Sequence, residues 1–359
     1  MKGKNILVTG VCGTVGGHLV QALLSNEEYS PKSVVGIDNN ESQLFFTDQK
    51  YLDDPRATFY LSDIRDRNSL VQLMDGIDIV FHTAALKHVI LCERSPLEAI
   101  QTNILGVENI IYAAQANKVE KTIFTSSDKA VNPTNVMGTS KLMGERLMTA
   151  ANGTSRDLIF SSTRFGNVLG SNGSVIPIFK QQIKSGGPVT LTDPEMTRFV
   201  MTIEESVELV IDSAMQAVGG EVFITKMLVM RIQDLAEVMV EMLAEPYGQD
   251  PNAIKIDVIG TKPGEKLYEE LMSDEETRRA IELDKYFSVL PAFRGFQGET
   301  QYDYDNVVTD VVDDPYISAD AELMSKAEIE QFLAKNNLLD MPEDAFGKRY
   351  WPGDKEDRT

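Results

Sequence analysis

The stretch Asn5-Ile6-Leu7-Val8-Thr9-Gly10-Val11-Cys12-Gly13-Thr14-Val15-Gly16-Gly17 decides the fold. Its first five residues form a short apolar run of the kind buried in a parallel sheet, and residues 18–24 then carry helical spacing. Between them glycines fall at 10, 13 and 16, the spacing Gly-x-x-Gly-x-x-Gly. Such glycines permit a tight turn, a close approach of backbone to a pyrophosphate, and close helix–strand packing. The helix N-terminus adds free N–H groups and partial positive charge. Gly10, Gly13, Thr14, Val15 and Gly16 are therefore the first candidates for holding a dinucleotide.

Outward from this loop the chain alternates strand and helix. A second strand over 33–37 ends in Asp38, an acidic residue about twenty positions past the glycine loop, where ribose hydroxyls are held. No Arg or Lys follows it closely to neutralise a 2′-phosphate, so NAD is favoured over NADP as cofactor. A strand over 58–61 ends near Asp63 and Ile64, with Asp63 placed to meet an adenine. The strand over 78–82 runs into Ala84 and Ala85, small enough for backbone to pass close to a cofactor; Lys87 and Asn103 complete the expected cofactor set. Ser95 and Pro96 read as N-cap and first position of a long helix whose stripe is Leu97, Ile100, Ile104, Val107, Ile111 and Ala114. The spare apolar residues Leu105 and Ile110 leave room for a subunit contact, so a homo-oligomer is expected. His82 and His88 lack a third ligand at metal-like spacing, and no metal site is expected.

The expected fold class is α/β, a Rossmann-type doubly wound parallel sheet with a smaller C-terminal substrate-binding subdomain. Residues 1–165 form the dinucleotide-binding core, with 199–226 returning to it; 166–198 and 227–295 form the substrate half. The glycine- and proline-rich run from Gly166 to Pro188 reads as loops above the sheet. Residues 296–359 form an acidic extension with one helix near 322–334, and the end, from Trp351 to Thr359, is expected to be disordered.

Chemistry concentrates in Phe124-Thr125-Ser126-Ser127-Asp128-Lys129-Ala130-Val131-Asn132-Pro133. A buried strand here ends in hydroxyls, a carboxylate and an ammonium, at the carboxyl edge where open α/β sheets place their sites. A helix begins near Asn135 and carries Met137 and Lys141 one turn apart. Farther on, Arg164 and Arg198 are either diphosphate ligands or partners in structural ion pairs. Asn167, Lys180, Thr190 and Glu265 are further polar candidates for the substrate.

The bulk numbers narrow the partners. The chain has 359 residues and a net charge of -21, which argues against nucleic acid or an anionic membrane surface. Residues 301–359 alone hold 15 acidic against 6 basic side chains, a difference of -9. Two cysteines form no disulfide framework, and no apolar run approaches the length of a membrane span. A cytoplasmic protein with no membrane insertion is expected.

Taken together, these residues resemble the extended short-chain dehydrogenase/reductases, and within them the nucleotide-sugar 4,6-dehydratases of the CapD/polysaccharide-biosynthesis type. The matching segments are the glycine loop, Ala84-Ala85-Leu86-Lys87-His88-Val89, Ser126 to Pro133, Arg164-Phe165-Gly166-Asn167, Thr192 to Phe199, and Lys262-Pro263-Gly264-Glu265-Lys266-Leu267-Tyr268-Glu269-Glu270. The resemblance implies a nucleotide-sugar substrate, UDP-N-acetylglucosamine foremost, converted to a 4-keto-6-deoxy sugar nucleotide. It also implies Asp128 as acid at C6, Lys129 as base at C5, Ser127 as hydrogen-bond partner of O4, and Lys141 as ligand of the nicotinamide ribose. Lys87, Ser127, Arg164, Asn167, Lys180, Thr190, Arg198 and Glu265 would surround the substrate. One departure stands out: where the wider superfamily has the tyrosine of Tyr-x-x-x-Lys, this chain has Met137, which moves no proton. The O4 proton then falls to Asp128, to Ser127 with Lys141, or to water. A C4 epimerase, a GDP-linked substrate, and a silent NAD-binding protein are the alternative readings.

Overall fold

Ile6 and Val8 turn to one face of the first strand and Leu7 to the other, and all three are fully buried. A strand apolar on both faces needs helices above and below it. The computed structural model, which describes residues 1–155, 157–171, 174–261, 264–293 and 300–339, has that architecture. Seven parallel strands, β1 (Asn5–Thr9), β2 (Ser33–Asp38), β3 (Ala57–Leu61), β4 (Ile79–His82), β5 (Lys121–Thr125), β6 (Ile159–Arg164) and β7 (Val222–Thr225), lie in the order 3-2-1-4-5-6-7. Helices Thr14–Ser25 and Ile203–Gln216 cover one face. Helices Arg67–Leu73, Gly106–Asn117 and Val136–Thr154 cover the other, over Leu7, Ile37, Val80, Phe124 and Phe160. Strand order reverses between β1 and β4, which opens a crevice at their carboxyl ends.

Three further strands extend the sheet past β7: β8 (Ala280–Leu283), β9 (Tyr286–Val289) and β10 (Val307–Thr309), all antiparallel, in the order 7-9-8-10. These segments fall within the stretches read from sequence as substrate half and acidic extension. Their buried residues Ala280, Leu283, Tyr286 and Val289 cover what would be a bare sheet edge. The extension is fastened there as well, for the Tyr302 hydroxyl donates to the Gly219 carbonyl at 2.7 Å. Residues 351–359 lie outside the described residues.

A second, smaller core joins helices Val175–Lys184, Ile232–Leu243 and Lys326–Lys335 through Phe179, Ile183, Leu235, Met239, Ile329 and Leu333. The first of these helices corrects the expectation of loops over 166–188. Ile176, Phe179 and Ile183 recur at helical spacing, but the glycines and prolines on either side obscure them in the sequence. Ser325 caps the last helix in a reciprocal box with Glu328, four residues later than the expected start near 322.

The long helix expected from Ser95 is interrupted. Helix Pro96–Ala99 passes into a π-helical segment, Ile100–Leu105, before Gly106–Asn117 resumes the α-helix. The wider turn shifts the phase of the apolar stripe. Leu97 and Ile100 consequently face solvent, whereas Asn103 and Ile110 turn inward. Ile110 is therefore core and not a spare residue for a subunit contact; Leu105 remains exposed. Among the described residues no helix is long and apolar enough to cross a membrane.

Arg164 closes β6 and takes the ion-pair alternative. Its guanidinium is buried, donating to both Glu145 oxygens at 2.8 and 2.6 Å and to both Glu276 oxygens at 2.9 and 2.8 Å, and also to the Leu271 carbonyl at 3.0 Å. With its donors spent on the protein, Arg164 is not a phosphate ligand. Burial alone would raise the Glu276 carboxyl, but the charge and hydrogen bonds of Arg164 hold it at about 2. That folded value lies below the ordinary one, so its contribution to stability is complete above the ordinary carboxylate range and is lost as pH falls toward about 2. Replacing Arg164 by Met strands two buried carboxylates. Chemical denaturation at neutral pH should show a loss of about 3–5 kcal/mol, shrinking as pH is lowered and the carboxylates protonate.

Candidate active site

The crevice at the strand reversal is lined first by the glycine loop. Gly10 has φ +75°, and a Cβ there would lie 2.8 Å from the backbone of Ala84; at Gly16 a Cβ would lie 2.3 Å from the Gly10 carbonyl oxygen. The loops after β1 and β4 therefore touch with no room for side chains. Thr83 tightens the seam by donating from Oγ1 to the Thr9 carbonyl at 2.6 Å. Asp38 accepts the Cys12 N–H at 3.0 Å and the Asn40 N–H at 2.9 Å, so its carboxylate braces the loop it faces. One cavity, of about 380 Å³, lies beside Lys129, and one of about 290 Å³ lies here. The smaller is walled by Gly10, Gly13, Asp38, Asp63, Ile64, Ala84 and Ala85, all candidates from the sequence, together with Arg65, which the sequence reading did not single out. Arg65 forks onto Asp63 at 2.6 Å and reaches Glu98 at 3.1 Å. Thr14, Val15 and Gly16 form the first helical turn behind it.

Of the residues expected at the cofactor, Asn103, Lys87 and Lys141 are absent from this wall. Asn103 lines neither cavity: it accepts the Leu86 N–H at 2.8 Å and donates to the Leu86 carbonyl and to Ser140 Oγ, each at 2.9 Å. Both of its polar atoms are consumed, so it positions the loop after β4 instead of touching a ligand. Lys87 lies on the wall of the larger cavity only.

The 124–133 stretch is a strand, one 3₁₀ turn and a break. The turn Asp128–Ala130 is capped by Ser127, and the Asp128 N–H donates to the Phe165 carbonyl at 3.1 Å, which ties it to the end of β6. Asn135 caps helix Val136–Thr154 by accepting the Gly138 N–H at 2.8 Å. A Cβ at Gly138 would lie 2.1 Å from the Lys129 carbonyl oxygen, so this helix presses directly on the turn. Lys141, on the same helix, is buried and donates to the Thr125 carbonyl at 2.8 Å, with Nζ 4.7 Å from the Phe124 ring. Burial lowers its pKa to about 8, against the opposing charge of Glu145. Met137 is buried with Cys92 and Ala99 and lines neither cavity; an apolar plug stands where the superfamily has its tyrosine.

Asp128 and Lys129 are in direct contact. The Lys129 ammonium, 26% exposed, lies 2.9 Å from Oδ1 of the fully buried Asp128. That oxygen also accepts from Ser127 Oγ at 2.7 Å and from the Lys129 N–H at 2.8 Å, whereas Oδ2 has no protein partner among the described residues. A third group, missed in the sequence, completes the centre: Oε1 of buried Glu269 lies 3.4 Å from the same ammonium. Burial alone would lower the Lys129 pKa, but the charges of Asp128 and Glu269 outweigh it and hold the ammonium above its ordinary value. Burial, reinforced by Asp128, raises the Glu269 carboxyl against the pull of Lys129 and Arg198. The signal for Glu269 was its place four residues after Glu265 in the same quoted segment.

Lys129 and Glu269 share the wall of the larger cavity with Lys87, Asn167, Thr190, Arg198 and Glu265. Its far side is apolar, formed by Val175, Ile178, Phe179, Leu191, Ile232 and Ile259. Arg198 is largely spent, donating to the carbonyls of Thr197 at 2.7 Å, Lys266 at 2.8 Å and Leu267 at 3.2 Å, with Nε 3.7 Å from Glu269. Lys180 is absent from this wall; its ammonium donates to the Leu339 carbonyl at 2.7 Å and pins the second core. No group of three or more potential metal ligands occurs among the described residues.

A glycine-walled crevice beside an Asp–Lys turn, on a doubly wound sheet, defines the class: a nucleotide-sugar enzyme of the extended short-chain dehydrogenase/reductases, the group that holds epimerases and dehydratases. Within it, the chain belongs to the family described as polysaccharide biosynthesis protein, whose profile matches residues 6–291. It is 45% identical over 340 residues, 94% of this chain and 97% of the other, to a Methanocaldococcus jannaschii protein described as an uncharacterized membrane protein. It is 41% identical over 295 residues, 80% of this chain and 82% of the other, to a Rickettsia bellii protein named UDP-glucose 4-epimerase. Among solved structures it resembles Pen from Bacillus thuringiensis, with a TM-score of 0.86, 40% identity, and coverage of 94% of this chain and 98% of that one.

The cradle itself is testable. Gly10→Ala combines a left-handed φ with a clash, whereas Gly76, at φ +72°, has nothing within 4 Å of an added Cβ. NADH fluorescence titration should show affinity falling by at least about tenfold in Gly10→Ala and unchanged in Gly76→Ala.

Proposed function

We propose that this protein dehydrates a nucleotide-linked N-acetylhexosamine across C4 to C6, with UDP-N-acetylglucosamine as substrate, NAD as cofactor and a UDP-4-keto-6-deoxy-hexosamine as product. The observation that carries the reading is the Lys129 ammonium 2.9 Å from buried Asp128, on the wall of a cavity next to the glycine-walled crevice. A C4 epimerase needs hydride transfer at one carbon only; an acid and a base side by side suit an elimination.

The chain's residues fit a dinucleotide. Gly10, Gly13, Ala84 and Ala85 wall a crevice with little side chain in it, and the Asp38 carboxylate on the wall suits ribose hydroxyls and repels a 2′-phosphate. When bound, NAD supplies the acceptor for the C4 hydride and returns that hydride to C6. Asp128 takes the O4 proton, the role the missing tyrosine leaves open, and Ser127 orients that hydroxyl. The C4 carbonyl of the sugar makes the C5 hydrogen acidic, and the Lys129 amine removes it. Asp128 then delivers its proton to the C6 hydroxyl, which departs as water. Lys129 gives its proton back to C5 as C6 is reduced, so the net change is the loss of one water. Lys141 orients the cofactor's ribose, and Arg198 and Lys87 offer positive charge to the diphosphate.

One observation favours a second reading, C4 epimerisation: the Rickettsia bellii relative carries the name UDP-glucose 4-epimerase. Incubation with NAD and UDP-N-acetylglucosamine, read by product mass, separates the two. The proposal expects loss of one water, and an isobaric product would replace it with epimerisation. Lys129→Ala should lower kcat by about 10²- to 10⁴-fold; a variant that still dehydrates at the native rate removes Lys129 as base.

A further inference from the structure

Lys129 carries a difficulty that its neighbours resolve. To act as a base it must be a neutral amine, yet two carboxyls hold it as an ammonium. Bulk water is a poor outlet for the proton, because Asp128 is fully buried and only part of Lys129 reaches the cavity. The charged groups facing the ammonium are Asp128 on its own turn, Glu269 on the segment after Gly264, and Arg198 on strand Thr197–Met201. Lys266 faces Glu269. Of the two carboxyls, Asp128 has Oδ1 crowded by three donors and is assigned to the O4 and C6 protons.

Glu269 is the group left without an assignment. Its Oε1 lies 3.4 Å from Lys129 Nζ and 3.7 Å from Arg198 Nε, and its Oε2 has no protein partner among the described residues although it is buried. The backbone there is fixed: Glu269 N–H donates to Ser318 Oγ at 2.9 Å, the Ser318 N–H donates to the Glu269 carbonyl at 2.9 Å, and Ser318 Oγ pairs with Thr197 Oγ1 at 2.9 Å. A buried carboxyl locked in place with an unused oxygen, facing an ammonium, is built to hold a proton.

We propose that Glu269 is a positioning residue that holds the Lys129 proton during turnover, taking it from Nζ across the 3.4 Å contact so that the amine is free to act at C5. An N–H bond breaks at Lys129, an O–H bond forms at Glu269, the electron pair stays on Nζ, and the two opposite charges cancel. After Lys129 has taken and returned the C5 proton, it recovers its own from Glu269, and the centre is restored with no net proton change. The idea rests on the dehydratase reading for its kinetic consequence, and its electrostatic half stands apart from it.

The test compares the native chain with Glu269→Gln, which keeps the shape, and Glu269→Asp, which keeps the carboxyl. With NAD and UDP-N-acetylglucosamine, Glu269→Gln should lose about 10²-fold in kcat at neutral pH with KM changed by less than about threefold. The deficit narrows at alkaline pH, where Lys129 can shed its proton to solvent, and Glu269→Asp recovers part of kcat. Independently, acetic anhydride labelling of Lys129 followed by peptide mass spectrometry should show its reactive midpoint falling by about one to three pH units in Glu269→Gln. An unmoved midpoint, a kcat within about twofold of native, or a loss equal at every pH overturns the proposal. A native chain that yields only an isomer defeats the dehydratase reading, while the labelling comparison still decides whether Glu269 controls the Lys129 proton.

Discussion

One ammonium between two buried carboxyls is the interaction that the rest of this protein arranges. Lys129 and Asp128 come from a turn at the carboxyl end of β5, and Glu269 from a segment some 140 residues later in the chain. Burial makes such a cluster costly unless its charges compensate. The Asp128 turn is accordingly clamped on several sides: by the Phe165 carbonyl, by the start of helix Val136–Thr154 against the Lys129 carbonyl, and by Lys266, which donates to the Val131 carbonyl at 2.9 Å. The Glu269 side is held by Ser318 and Thr197. Packing of Leu271 and Met272 with Phe199, Val222 and Ile224 is thus what brings Glu269 to the turn.

The same logic explains the two arginines. Arg164 and Arg198 are both buried, but they solve different problems. Arg164 neutralises Glu145 and Glu276 behind the sheet and has nothing left to offer a ligand. Arg198 is tied mostly to carbonyls, keeps its charge beside Glu269, and borders the cavity. Replacing a tyrosine by Met137 fits this division. An apolar plug packed on Cys92 and Ala99 stands there, and on the proposed reading proton handling falls to the carboxyl–amine centre.

How much of this was legible depends on the range of the contacts involved. The glycine loop, Asp38 and the Asp128–Lys129 pair are set by neighbours in sequence, and their spacing declares them. Arg164 and Arg198 sit in similar polar surroundings, and only the long-range partners Glu145 and Glu276 separate their roles. Leu97 and Ile100 were misjudged because a π-helical segment shifts the phase before Gly106, and Ile110 because the buried face beyond it is wide enough to take Val107, Ile110, Ile111 and Ala114 together. Helix Val175–Lys184 hid between glycines and prolines, and the strands β8 to β10 hid in stretches read as substrate half and acidic extension. Glu269 was hidden for the simplest reason, since its contact with Lys129 joins segments some 140 residues apart in the chain.

The most direct measurement is a crystal structure of the protein with NAD and UDP-N-acetylglucosamine bound. The account predicts the hexose in the cavity bounded by Lys129, Glu269 and Arg198, with its C5 about 3–3.5 Å from Lys129 Nζ and its C6 hydroxyl in hydrogen-bond reach of Asp128. A sugar seated against the apolar wall, with its ring well beyond contact of both side chains, would contradict it.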